Sequence, residues 1–536
     1  MAQFRLNAYD ADLFIPGFLG LKQNEVDLVP DMRFAADAEN VETPDGVLQP
    51  RAATYYLDSG YFEQKIETLM WFHRRYMQDE GTKDYLIAAV DGKLYQKPEI
   101  LGPWNEIDMP AGKLSFGSNV WSWIAYEMNF DGSEYPVDVL VISNATDGMY
   151  VIVPSDISRI WGVVKKLTWG SLDEETWEAQ FAGRWMIIPV DTKGNKFSVI
   201  ERYNERVWGG GIPDDDDKLV YSRPYDPTNW NAAGEDEEPE DGAGDIRLPS
   251  WDGDRFTTLK AFGDNLIAFK KHRLWRITGT NPGEFNIHEQ YGGGAPYPDT
   301  VETYGEKMLI ADRYGMSVYD GMTVSDYMRE YVQETWKNAT WGMLDQMCAE
   351  IFREKYYLAF PMGLSAVNNA LLIYDLKTGT ILLHKDIYIE SMMATERFLY
   401  ATSSQAPGRV MVIPYNSWDI GLACGDATRW ESPWMDFGRK DIQKGGFDLY
   451  FIPEVQQEAV TLSISIQTEK KLKTKEYTIQ PLTEEQRAAE KEHRGKRLHF
   501  GGNGRRFRVI IESAEGVTAP WRLIGGVHVI VETDPD

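Results

Sequence analysis

Tyr85-Leu-Ile-Ala-Ala-Val-Asp-Gly-Lys-Leu-Tyr95 reads as one hairpin: an apolar strand, an Asp91-Gly92 turn, and a second strand ending on tyrosine. The unit recurs along the chain. It returns as Val139–Ser143 with Asp147–Val153, Arg206–Gly210 with Lys218–Ser222, and Asn265–Phe269 with His272–Ile277. Three more follow: Lys307–Ala311 with Gly315–Tyr319, Lys355–Phe360 with Ala370–Tyr374, and Phe398–Thr402 with Arg409–Ile413. A mean spacing of roughly 50 residues is the per-blade period of a β-propeller. In several repeats a further strand precedes the hairpin, as in Lys65–Phe72, Phe256–Lys260 and Thr300–Tyr304, so three or four strands fit one blade.

The physical logic favours a ring. One blade cannot bury both of its faces, whereas blades packed around an axis bury each other. The 18 Trp, 28 Tyr and 22 Phe supply large side chains between them. A ring needs its first and last blades tied together, and Ala38–Tyr56 is the candidate closing stretch. The expected fold class is therefore all-β, with a propeller of about seven blades (six to eight by spacing). It is expected over residues 61–425, behind an N-terminal arm and closing strand at 1–60. The glycines Gly209–Gly211 read as a turn.

Beyond Gly425 the texture changes. Phe447–Ile452, Val460–Ile466, Arg506–Glu512 and Trp521–Val531 are longer and alternate polar with apolar, which predicts an antiparallel β-sandwich over 426–536. Thr483-Glu484-Glu485-Gln486 is a capping box, and it predicts one short helix over 483–494 closed by Gly495.

The charge steps at the same place. Of 55 Lys/Arg and 83 Asp/Glu, residues 427–536 hold 17 of each, so the whole net charge of −28 belongs to the first four-fifths of the 536-residue chain. Such acidity excludes a protein that clamps phosphate backbones or anionic membranes. Two acidic runs stand out, Asp214, Asp215, Asp216, Asp217 and Glu235, Asp236, Glu237, Glu238, and they read as exposed loops or a channel surface. Neither has the D-x-D-x-D-G spacing of a calcium loop. In the C-terminal part Lys470, Lys471, Lys473, Lys475, Arg494, Lys496, Arg497, Arg505 and Arg506 form basic clusters. They read either as a solvated face or as a contact surface for an acidic neighbour, including the acidic part of another copy.

Motifs of chemistry are missing. The seven histidines form no H-x-x-x-H or H-E-x-x-H pair, and Cys348 and Cys424 have no metal-ligand partner at short spacing. Two cysteines make no disulfide framework. No nucleophile elbow, Walker A loop or dinucleotide fingerprint is present, so no catalytic, cofactor-binding or metal residue is assigned. No apolar run approaches a membrane span, and the first residues lack a signal-peptide layout.

Phe14-Ile-Pro-Gly-Phe-Leu-Gly20, followed by Ala38-Glu-Asn-Val-Glu-Thr-Pro-Asp-Gly-Val-Leu-Gln-Pro-Arg51, resembles the start of virion β-propeller proteins of tailed bacteriophages, of the tail-nozzle, packaged-DNA-stabilisation and tail-hub type. Tyr203-Asn-Glu-Arg-Val-Trp208 with Leu219-Val-Tyr-Ser222 and Asp226-Pro-Thr-Asn-Trp230 is similar to that group's signature, as is Leu266–Trp275. Trp430–Phe437 and Gly504–Arg508 resemble its accompanying sandwich. The resemblance implies a non-enzymatic subunit in the tail or neck of a virion, made in the host cytoplasm. It implies a ring of copies, often hexameric, around the DNA channel. The implied partners are the connector or adaptor, fibre or spike proteins, and DNA that passes without sequence-specific binding, with no membrane and no cofactor. Two other functions fit a propeller: a glycan-binding or glycan-cleaving surface module, which needs paired carboxylates in an aromatic pocket, and an intracellular protein-interaction scaffold.

Overall fold

The computed structural model describes residues 9–23, 31–57, 61–75, 83–110, 112–128, 136–159, 165, 173–180, 182–250, 253–290, 293–326, 332–436, 443–481 and 495–533. The chain is all-β and propeller-like, dominated by four-stranded antiparallel sheets.

The sheets follow one another along the chain. The first comprises Ile66–His73, Asp84–Val90, Lys93–Pro98 and Asn105–Glu106, and the second Ser122–Met128, Val137–Asn144, Gly148–Val153 and Met186–Pro189. The third is Val199–Tyr203, Arg206–Gly210, Lys218–Tyr221 and Gly244–Arg247; the fourth is Phe256–Phe262, Asn265–Lys270, Leu274–Thr278 and Asn286–Gln290. Glu302–Tyr304, Lys307–Asp312, Gly315–Tyr319 and Val324–Ser325 make the fifth, and Cys348–Phe352, Lys355–Phe360, Ala370–Asp375 and Ile381–Lys385 the sixth. The seventh takes Ser391–Ala394, Leu399–Ser403 and Ala406–Ile413, then borrows its fourth strand from Tyr55–Tyr56, with Val412 opposite Tyr55. In every sheet the second and third strands are the hairpin visible in the sequence.

The first strand of each sheet packs against the first strand of the next, and the seventh packs against the first. The cores lie between neighbours. Phe72 meets Ile142, Val139 meets Ile200, Trp208 meets Leu266, and Phe269 meets Met308. Met316 then shares a cluster with Tyr356, Leu371 with Leu399, and Tyr400 with Leu86. Burial of each such side chain contributes about 1.5–3 kcal/mol. Sheets covered on both faces carry continuous apolar strands: every residue of Val137–Asn144 and of Lys355–Phe360 is buried.

The C-terminal part is built of two sheets. One runs Tyr9–Ile15, Trp521–Thr533, Lys444–Val455, Lys496–Gly504. The other runs Asp37–Glu39, Thr428–Glu431, Phe507–Ser513, Val460–Thr468, Leu472–Ile479. It continues into the sixth sheet because Glu39 also pairs in parallel with Leu383. Phe447, Leu449 and Val529 from one sheet share a core with Leu462, Ile464 and Ile511 from the other.

Three features differ from the sequence reading. Within residues 1–60 the end of the expected closing stretch, Tyr55–Tyr56, pairs with the seventh sheet, whereas Tyr9–Ile15 and Asp37–Glu39 join the C-terminal sheets instead of forming a separate arm. Gly209 and Gly210 lie inside the strand, where the Phe197 ring packs so close that a Cβ on Gly209 would come within 2.4 Å of it, and only Gly211, at φ 66°, ends the strand. Leu472–Ile479 and Lys496–Gly504 are strands. The expected helix at 483–494 lies outside the described residues.

Candidate functional site

The first acidic run sits between the second and third strands of the third sheet. Asp215 pairs with Arg247 at 3.0 Å, and Asp216 with Arg255 at 3.1 Å. Asp217 pairs at 2.5 Å with Lys270, whose side chain is fully buried under the rings of Phe256 and Trp275. Asp214 is exposed. Asp216 and Asp217 therefore pin the third sheet to the fourth, while Asp215 braces the third sheet's own outer strand. The second run lies in the loop before Gly244–Arg247, at the other end of the same sheet. Glu237 is held by Arg223 at 2.5 Å and by the Gly234 N–H at 2.7 Å, which lowers its carboxyl to about 2. Glu235, Asp236 and Glu238 are exposed, with no ion pair among the described residues. The two runs do not form one surface, and neither is on an inner strand.

The basic cluster also divides. Arg497 pairs with Asp448 at 2.6 Å and Arg506 with Glu469 at 3.1 Å, while the Arg505 N–H donates to Glu469. Lys470, Lys471, Lys473, Lys475 and Lys496 are exposed and have no ion pair among the described residues. Lys473 and Lys475 stand opposite Ile466 and Ile464, on the core side of an edge strand. Arg494 lies outside the described residues.

A third group has no local sequence signal. Glu201, Lys260, Glu302 and Glu350 occupy the same place in four consecutive sheets: each is on the first strand, in the third pair from the hairpin turn, opposite Trp208, Ile267, Leu309 and Tyr357 respectively. Aligning the repeats by their turns would have put them in one column. Lys260 Nζ reaches Glu302 at 3.1 Å. The Glu201 carboxylate accepts from the N–H groups of Arg202 and of Ala261 on the next sheet; Glu350 accepts from those of Ile351 and Ala394. Each carboxylate thus latches its own inner strand to the next. Lys260 and Glu302 keep 26% and 22% of their side-chain surface accessible, although the inner strands of the neighbouring sheets surround them. Desolvation is the largest influence on Glu201 and pushes it up to about 7 against the pull of Lys260; it raises Glu350 as well, with Glu302 adding repulsion. Lys260 is raised by Glu302 and Glu201, overcoming its own desolvation. Among the described residues no group of three or more His, Cys, Asp or Glu is disposed to hold a metal ion.

A fourth group joins the two parts of the molecule. Asn40 is in the left-handed region at φ 54°. Its Oδ1 accepts from Lys385 N–H at 2.8 Å and from Arg51 Nε at 3.3 Å, and its Nδ2 donates to the Ala427 carbonyl. Arg51, 5% exposed, pairs with Asp426. Beside it Glu42 is buried and accepts from Gln49 at 3.2 Å; desolvation lifts its carboxyl to about 7 against the attraction of Lys355. Burial holds His384 neutral.

No family model matches this chain, and no curated protein matches it. Among solved structures it is similar to the AfRom2 CNH domain, at 8% identity over 68% of this chain and 99% of that one, with a TM-score of 0.35. It is also similar to a chain in a humanized mutant of the Chaetomium thermophilum Polycomb Repressive Complex 2 bound to the inhibitor GSK126, at 8% identity over 69% and 98%, with a TM-score of 0.34. Among the described residues no helix is long and apolar enough to cross a membrane.

Proposed function

We propose that the seven sheets are the blades of a closed β-propeller over residues 61–425, that the C-terminal pair is a β-sandwich over 426–536, and that the chain is a non-enzymatic structural subunit of a tailed-phage virion. In this reading several copies form a ring in the tail or neck, around the DNA channel, and their loops dock the connector and any fibres. One observation carries it. The stretch by which the chain resembles phage propeller proteins, Ala38–Arg51, is the stretch that joins propeller to sandwich: Asn40 ties Lys385, Arg51 and Ala427, Val41 and Leu48 are buried, and Arg51 reaches Asp426. The motif is thus the hinge-pin of a two-part rigid body.

The DNA path in this reading lies between copies. Within one chain the inner strands carry Lys260 and the glutamates around it, paired with each other across neighbouring sheets. Acidic loops facing such a channel repel the phosphates, so DNA slides without sticking. Composition and electron microscopy of purified virions test the reading. The expected result is several copies in a ring at the tail; particles that lack the chain overturn it.

A further inference from the structure

The leftover charges of the molecule are segregated by place. In the C-terminal sheets the carboxylates with arginine partners are used up internally: Asp448 by Arg497, Glu454 by Arg522, Glu469 by Arg506, and Glu431 and Glu512 by Arg429. Among the described residues of this part the exposed cations left without an ion pair gather at one edge, while the exposed carboxylates Glu458 and Glu515 lie in turns elsewhere. Lys470 and Lys471 sit in the turn that leads into the outermost strand of the nine-stranded sheet, Lys473 and Lys475 lie on that strand, and Lys496 is on the edge of the facing sheet. Glu476, on the opposite face of the strand from Lys473 and Lys475, is the one free carboxylate within the strand. In the third sheet the leftover charge is negative. Glu235, Asp236, Glu238 and Glu240 are exposed in the loop that leads into its outermost strand.

Lysines on an edge strand bar a second copy from adding the same strand, because like charges would face each other. That accounts for one or two of them. Four lysines close together leave a repulsion that solvent and salt screen in part and that an acidic partner relieves further. The acidic loop cannot serve within the same chain. It belongs to the third sheet, whereas the basic edge extends from the sixth, across the ring.

We propose that the lysine edge Lys470–Lys475 of one copy docks on the acidic loop Glu235–Glu240 of a second copy. The two patches differ and lie apart, so the contact is head-to-tail. It repeats from copy to copy until a ring closes, and like-with-like pairing is repelled on both patches. The inference deepens the ring-forming reading by naming its surfaces, although the contact itself rests on the charges alone.

Sedimentation velocity of the full chain tests it with two charge-swapped variants. One is Lys470→Glu, Lys471→Glu, Lys473→Glu and Lys475→Glu together; the other is Glu235→Lys, Asp236→Lys, Glu238→Lys and Glu240→Lys. Wild type is expected to self-associate, at least about tenfold more weakly when ionic strength rises from about 0.05 M to 0.5 M. Each variant alone is expected to be monomeric. An equimolar mixture of the two regains association, because each swapped edge then finds a loop of opposite sign. A folded variant that associates as tightly as wild type, a mixture that fails to rescue, or a wild type that stays monomeric at low ionic strength overturns the proposal. The virion reading fails separately: particles lacking the chain leave the edge contact standing, and particles that assemble with either variant refute the contact alone.

Discussion

The ring and the C-terminal sheets use the same residue types in opposite ways. In the ring, strands such as Val137–Asn144 are buried along their whole length, and each core lies between two sheets that neither could cover alone. In the C-terminal part Lys444–Val455 and Val460–Thr468 alternate buried with open residues around one shared core. The ring also buries charge, at Lys260, Glu201, Glu350 and Lys270, whereas the C-terminal sheets keep most of their ion pairs at the surface. The comparison teaches that charge inside the ring fastens one sheet to the next, whereas the C-terminal sheets hold most of their ion pairs where water screens them.

The joint between the two regions is where that contrast breaks most easily. Arg51→Ala removes a buried guanidinium and leaves Asp426 without its cation, while Asn40 Oδ1 keeps the Lys385 N–H; Asp426 is one-third open to water, so the lost ion pair and packing together cost about 3 kcal/mol. Wild type is expected to unfold in one transition in urea. The variant is expected to unfold in two, with ring and C-terminal sheets separating; a single unshifted transition shows that the parts are coupled by packing alone.

Glu42 sharpens the same comparison with the opposite sign. Its carboxyl stands near 7 in the folded protein against an ordinary 4.5, so the folded state holds that proton more tightly than the unfolded chain does. The stability this brings is complete below pH about 4.5 and is lost as pH rises through about 7. Glu42→Gln keeps an oxygen for Gln49 and no longer ionises. It is expected to stabilise the protein by about 3 kcal/mol at pH 8 relative to wild type, and by almost nothing at pH 4.5. Thermal melts at the two pH values check this, and equal shifts at both mean that the buried charge is not the cause.

Much of the ring was legible because its hairpins are local and repeat. The hairpins stand out by their apolar runs, whereas an outer strand such as Asn105–Glu106 does not, because two exposed residues carry no periodicity; Tyr55–Tyr56 is found only as the end of the expected closing stretch. Leu472–Ile479 was read as a basic cluster for a similar reason: an edge strand with lysines on its core side shows no alternation. The axial group at Glu201, Lys260, Glu302 and Glu350 was invisible locally, since its members come together only through the closure of the ring. Asp215, Asp216 and Asp217 were read as open loop because their partners Arg247, Arg255 and Lys270 lie 32 to 53 residues further on.

The two acidic runs offer the finest form of the comparison, since they look alike as sequence. Asp217→Asn leaves the buried Lys270 ammonium without its counter-charge, although Ser250 Oγ remains at 3.2 Å. Because Asp217 is itself one-third open to water, the expected loss is about 2 kcal/mol, below that of a fully buried pair. Glu238→Gln, in the second run, removes a charge with no ion pair among the described residues and is expected to leave the unfolding midpoint unchanged. The same Glu238→Gln change should weaken self-association at low ionic strength, where Asp217→Asn should not, since Asp217 already has its cation. If the two substitutions instead moved stability and association together, the distinction between fastening charge and docking charge would be lost. A midpoint shift with Glu238→Gln alone would point to a structural partner for the second run.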